Sequence, residues 1–265
     1  MNPANANSPS WPSTMGTRTA ASNWLVQCIV WSAIPMGLLL MLKGLLMAFW
    51  QMTLSFWGDA LQLSLVTQLS PEGQTLLWTP LDDGSFAPSA QLLVVTAAMT
   101  AGIWWLGNRL SERFYPLKIS LRAMCLIQWC ACLFFWLTPS HFPYSIGSHA
   151  DALMGMGYGL MLAIGPMLAL GWGILPVPVW QKLGAPLAFM AYFALMLPHK
   201  TLLHVWCLEQ GSILFMPLLF LCFGALLDLW IFIALYAWLA STTPALRLSP
   251  ETEQNLVAPA GGLTP

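Results

Sequence analysis

Charge is what this sequence has least of. Only 7% of its 265 residues are Asp, Glu, Lys or Arg, against roughly 25% in soluble domains. A chain so poor in charge cannot cover a water-facing surface, which excludes a soluble helical protein with a large core. The net charge is −1 at neutral pH, so the basic footprint that nucleic acid requires is missing. Disulfide logic is missing as well. The cysteines are Cys28, Cys125, Cys130, Cys132, Cys207 and Cys222, and no CxxC pair occurs. Cys207 falls in an expected loop and the others fall inside apolar runs, where free Cys behaves as a small apolar residue. Cys130 and Cys132 form a CxC on a predicted helix, which points the two thiols apart.

Catalytic signatures are absent too. There is no GxSG, no HExxH and no ATP-binding loop, and no histidine pair lies inside an apolar run where haem would need it. The expectation is therefore a protein that is not an enzyme, and the sequence names no cofactor. The large cytoplasmic domain that membrane transferases carry is also lacking.

What the sequence has is apolar length. Hydrophobic residues make up 58% of it, mean hydropathy is +0.69, and there are 15 Trp; Trp favours membrane–water interfaces. A helix needs roughly 20 apolar residues to cross a bilayer. Six runs qualify or nearly do, at about 24–50, 90–107, 120–138, 152–175, 179–198 and 212–240. The fold class expected is an all-α polytopic transmembrane helix bundle of about six spans joined by short loops. The run 179–198 is the weakest, because Lys182 limits it and its solidly apolar part, 185–197, is short. Lys43, late in the first run, is expected to reach the interface along its aliphatic stem.

The segments outside the spans read differently. Residues 1–22 are rich in Asn, Ser, Pro and Ala and are expected to be a disordered tail. Residues 241–265 are expected to be flexible. Segment 51–89 has no Lys or Arg and carries Asp59, Glu72, Asp82 and Asp83. Within it, 56–69 is expected to lie flat on the membrane and 75–88 to turn at Pro80, Asp82, Asp83 and Gly84.

Orientation follows from Lys and Arg in short loops. Arg109, Arg113, Lys118 and Arg122 crowd into 108–122, against one acid, Glu112. That loop is expected in the cytoplasm and 51–89 outside, which puts both termini in the cytoplasm of a bacterial-type inner membrane.

Four sets of residues stand out as candidates for chemistry. The first is Asp228, the one charged residue in FGALLDLWIFIALYAW (223–238). An Asp at the centre of a membrane helix costs about 2.5–3.5 kcal/mol on insertion scales, so its presence asks for a function or a partner. Gln128, Ser32 and Tyr192 are candidate hydrogen-bond partners, and no Lys or Arg is expected at the same depth. The second set is the four histidines, His141, His149, His199 and His204, which fall with Asp151 in two expected outer loops, 139–151 and 198–211. Imidazole and carboxylate together suit a metal site or a polar rim that meets substrate. The third is GMGYGLMLAIGPMLALGWG (155–173), where Gly155, Gly159 and Gly165 invite close helix packing and Pro166 a kink. The fourth is the basic loop itself, which sets topology.

Two functional classes fit these residues. Polar residues within the spans are few and Asp228 has no evident partner in the chain. Both points favour a non-catalytic subunit of a membrane assembly of the secretion, conjugation or envelope-maturation type, with the bilayer and other membrane proteins as partners and no nucleic acid. The alternative is a small proton-coupled transporter with Asp228 as the protonatable site.

Overall fold

Apolar runs become helices in lipid because a helix satisfies its own backbone polar groups. The computed structural model describes residues 15–63, 65–69, 76–80, 88–172 and 177–242, with side chains placed for all but 15–23, 65–69 and 76–80. The helices are α1 (Met15–Met41), α2 (Lys43–Ala60), α3 (Ala90–Arg109), α4 (Tyr115–Leu137), α5 (Ile146–Trp172) and α6 (Val179–Gln210). The last apolar run opens with one turn, α7 (Met216–Leu218), widens into a π-helical segment (Leu219–Ala225) and continues as α8 (Leu226–Thr242). Five helical segments are long and apolar enough to cross a membrane: Trp24–Met41, Ala90–Arg109, Glu112–Leu137, Ile146–Trp172 and Ile213–Thr242. The protein is an all-α helical bundle of membrane character.

Several boundaries differ from the sequence reading. The first run, 24–50, is two helices. The chain leaves helical geometry at Leu42 (φ −88°, ψ 4°) and starts again as α2. Residues 15–22 belong to α1, whereas 1–14 and 243–265 lie outside the described residues. The stretch 56–69 does not form one surface helix. α2 ends at Ala60, and β1 (Leu65–Leu69) pairs antiparallel with β2 (Leu76–Pro80), Leu65 opposite Pro80 and Leu69 opposite Leu76. The expected turn residues Asp82, Asp83 and Gly84 are outside the described residues, as is Gly173. Gln62 closes α2 in the left-handed region (φ 55°), and the Leu63 amide donates back to the Gly58 carbonyl at 2.9 Å. That wrap-around cap is one usually built on glycine.

α6 is the largest correction. Pro198 suggests an end to the span 179–198, yet the helix runs unbroken for 32 residues. A proline inside a helix removes one N–H, so the carbonyl four residues back loses its partner. Here that carbonyl belongs to Ala194, and the Trp50 indole donates to it at 2.8 Å. A tryptophan from α2 thus fills the gap that Pro198 leaves. α6 is not among the five spans, its apolar stretch being bounded by Lys182 and by His199 and Lys200. It runs beside α5 all the same.

α5 is the hub, between α1 and α6. Gly165 meets α1, where a Cβ would sit 2.9 Å from Pro35 Cγ and 3.0 Å from the Ser32 carbonyl oxygen. Gly157 meets Leu197 of α6 with no room for a methyl group. Gly155 and Gly159 face open space, so of the three expected glycines Gly165 makes the contact and Gly157, not expected, joins it. Met161, Ile164 and Leu168 are almost wholly buried between these neighbours. α3 and α4 form a hairpin that meets the rest through a smaller cluster of Leu93, Ala131, Cys132, Phe135 and Leu214. Cys132 is buried and Cys130 exposed, as expected of a helical CxC.

Paired contacts give the directions. Cys28 of α1 reaches Ala169, near the C-terminal end of α5, and His149 near the N-terminal end of α5 meets His204 of α6. Phe189 of α6 packs on Phe232 of α8, while Lys200 pairs with Asp228. α5 is therefore antiparallel to both α1 and α6, and α8 is antiparallel to α6. The start of α5 and the last third of α6 share one end of the bundle. The end of α5 and the start of α6 share the other.

Candidate functional site

Four buried polar residues, His149, Thr201, His204 and Asp228, gather at the end formed by the start of α5 and the last third of α6. Asp228, two residues into α8, forms an ion pair with Lys200 of α6. The side chains are 9% and 12% exposed, respectively. The sequence reading placed no base at the depth of Asp228. Lys200 is that base, hidden because 198–211 reads as a loop when Pro198 is taken as a stop. The proposed partners are engaged elsewhere. Ser32 donates to the Cys28 carbonyl of its own helix, Gln128 donates to the Leu214 carbonyl at 3.4 Å, and Tyr192 packs edge-on against Phe193. Gln128 Oε1 is buried with no hydrogen-bond partner, so that amide is half satisfied.

One helical turn beyond Lys200, His204 is 2% exposed and His149 of α5 is 3% exposed. Their rings stack with centroids 5.5 Å apart and planes at 24°, and His149 Nε2 lies 3.2 Å from His204 Nδ1. The Phe223 backbone, in the π-helical segment, lies beside His204. Of the two facing nitrogens, one carries the shared proton and the other accepts it, as the tautomers dictate. The polar contacts run from α5 through α6 to the backbone that precedes α8.

Local sequence explains why these groups meet. Ser145 and Ser148 cap α5 reciprocally, each hydroxyl accepting from the other's amide at 3.1 and 2.9 Å. This fixes the first turn and the direction of His149. Thr201 is fully buried against Met154 Sδ at 3.3 Å, which holds α6 to α5 between the histidine pair and the ion pair. In the last apolar run, the π-helical segment carries Gly224 in non-helical geometry (φ −88°, ψ −107°). A wider turn breaks the usual ladder and frees a carbonyl for an outside donor, which is why such turns recur at functional sites. Beside the ion pair, α6 stays helical but lacks one backbone hydrogen bond at Pro198, and the α8 run widens into the π-turn.

The other candidates separate. Asp151, expected in a loop, lies on α5 and is exposed. His199 and Cys207, also expected in a loop, lie on α6. His199 is exposed, donates to the Leu195 carbonyl at 2.7 Å and packs edge-on against Trp57. His141 stays in the turn before α5, beside Ser140. Among the described residues, no three His, Cys, Asp or Glu groups gather as a metal would require. The five-residue outer rim thus resolves into one buried pair and three separate surface groups. Pro166 lies inside a continuous α5, beside the Gly165 contact.

No family model matches the chain, and no curated protein or solved structure is significantly similar to it.

The basic residues lie at the other end of the bundle. Lys118 pairs with Glu112 at 2.9 Å, and Arg122 donates to Asn108 Oδ1. Arg109 stacks over Trp105 at 4.6 Å and Arg122 over Trp104 at 5.8 Å. Guanidinium over indole is an arrangement suited to an interface, where one face is wet and the other greasy. Lys43, at the α1–α2 break, sits 5.7 Å above the Tyr158 ring.

Proposed function

We propose that the chain is a small proton-coupled membrane transporter, with the Lys200–Asp228 pair as its coupling site and His149–His204 as a relay beside it. The observation that carries this reading is the burial of an ion pair between α6 and the start of α8, next to the π-turn that precedes α8. A buried pair is a poor source of stability, because desolvating both charges offsets their attraction. Ionisable groups inside membrane helices are costly, and they recur on proton and substrate pathways. Protonating Asp228 removes its charge and frees Lys200, so one proton shifts the balance between α6 and α8. A break in helix geometry at the ion site, as at the π-turn here, is a usual means by which transporters turn such a change into movement.

The assembly reading drew support from an Asp228 that lacked a partner in its own chain. Lys200 takes that support away. Placement in a bacterial-type inner membrane with both termini cytoplasmic continues to rest on Arg109, Arg113, Lys118 and Arg122.

The test is proton flux into liposomes carrying the purified chain and an internal pH dye. Flux driven by an imposed gradient is expected from the wild type. Asp228→Asn should remove it, with some loss of thermal melting because Lys200 loses its counter-charge, whereas Asp228→Glu, which keeps a carboxylate, should retain it. Flux that survives Asp228→Asn sinks the proposal. If the wild type shows no flux but co-purifies with other membrane proteins in fixed ratio, the assembly reading takes its place.

A further inference from the structure

His149 reaches Nε2 toward His204, which leaves Nδ1 as the other polar side of its buried ring. Beside this ring lies a cavity of about 340 Å³, lined by His149, Phe142, Tyr144, Ala152, Met216 and Phe220 among others. The cavity lies between the start of α5 and the α7 turn that leads into the π-helical segment. Phe142 and Tyr144 meet edge-on at 5.8 Å on one side, and the Phe220 ring sits 5.5 Å from the His149 imidazole on the other. Of the two hydroxyl residues in the lining, Tyr144 is exposed and Ser148 is already committed to capping α5. His149 is thus the buried polar group left to meet a guest, and aromatic faces make up the rest of the recognition.

The geometry points to a binding site here for a flat aromatic molecule that carries one acidic hydroxyl, a phenol or its fused-ring equivalent. In the tautomer with His149 Nε2–H donating to His204, the Nδ1 lone pair is the side of the ring left to accept the guest's O–H. Phe142, Tyr144 and Phe220 offer the offset and edge-on contacts that aromatic rings favour. A mostly apolar pocket with few polar groups that fix orientation is the usual form of a small-molecule site. The inference rests on the transporter reading for its meaning, since it names the substrate class. The occupied site would place a weakly acidic proton on the His149–His204 chain.

The test is equilibrium dialysis of the purified full chain in lipid nanodiscs, against naphthol and methylnaphthalene, which match in size and differ in the hydroxyl. Empty nanodiscs correct for partition into lipid. The wild type should hold naphthol about tenfold more tightly, which is the worth of one buried hydrogen bond. His149→Phe should erase that difference and leave methylnaphthalene unchanged, and Ala152→Trp should expel both. His149→Gln, which keeps a polar group at the position, guards against a folding defect and should fall between wild type and Phe. Equal affinity for the two probes would show a greasy slot that any lipid tail fills, and overturns the inference. So does naphthol binding that His149→Phe and His149→Gln leave intact, or no saturable binding at all. None of these outcomes touches Asp228-dependent proton flux, so the two proposals fail separately.

Discussion

At the scale of single residues, Lys200 and Asp228 carry most of the consequence. Removing one partner of a buried pair leaves an uncompensated charge, at a cost of about 3–5 kcal/mol. Asp228→Leu or Lys200→Met should therefore lower the thermal melting point of the detergent-solubilised chain sharply. The double substitution should recover most of that loss, because apolar groups of similar volume replace the pair with little net cost. If the double variant melts lower than either single variant, the pair is a net source of stability and its place in the fold is misjudged. Gln62 offers a smaller test. A left-handed residue other than Gly, Asn or Asp costs roughly 1–2 kcal/mol, and Gln62 sits at φ 55° in the cap of α2. Gln62→Gly should raise the melting point slightly. The burial of His149 and His204 was out of reach from composition alone, because a histidine in a loop and one on a buried helical face look the same until the helix boundary is known.

At the scale of elements, the contact row on α5 decides how close its neighbours come. Gly165→Ala would drive a methyl group into the Ser32 backbone and the Pro35 ring, neither of which yields easily. Overpacking of this kind costs about 1–3 kcal/mol. Gly155→Ala and Gly159→Ala meet open space and should be neutral. A melting series over the three variants checks the assigned face directly. Sequence spacing found the right helix and the wrong pair of glycines, because a run apolar on every side has no polar stripe to show which face turns inward. α6 was cut short for a related reason. Proline ends most helices in water, but inside a bundle another helix can occupy the vacated acceptor, as Trp50 does at Ala194. The break at Leu42 was easy to pass over, since it falls between Met41 and Lys43, both good helix formers, and the one poor former beside it, Gly44, lies inside α2.

At the scale of the whole molecule, the charge distribution predicts sidedness. The basic turn between α3 and α4 and the histidine end of the bundle are separated by the full length of α4. In a background without native cysteine, cysteines placed at Arg113 and Ser140 should react with a membrane-impermeant thiol reagent from opposite sides. Arg113→Cys should label only after the cells are opened, and Ser140→Cys should label in intact spheroplasts. Labelling of both from one side would mean that α4 does not cross.

Membrane character, the helical class and the position of the basic turn were decided by the sequence itself. They follow from amounts and runs, and the shortage of charge leaves lipid as the one solvent that suits the chain. Tertiary structure decided the site. Lys200 and Asp228 stand 28 residues apart, and His149 and His204 stand 55 apart. Nothing local says that they touch. They meet because α6 lies antiparallel to both α5 and α8, because Thr201 and Gly157 let α5 and α6 close together, and because Pro198 bends no chain away. Which polar groups share a dry interior is set by the register between helices, and register is a property of packed surfaces rather than of any one stretch of residues.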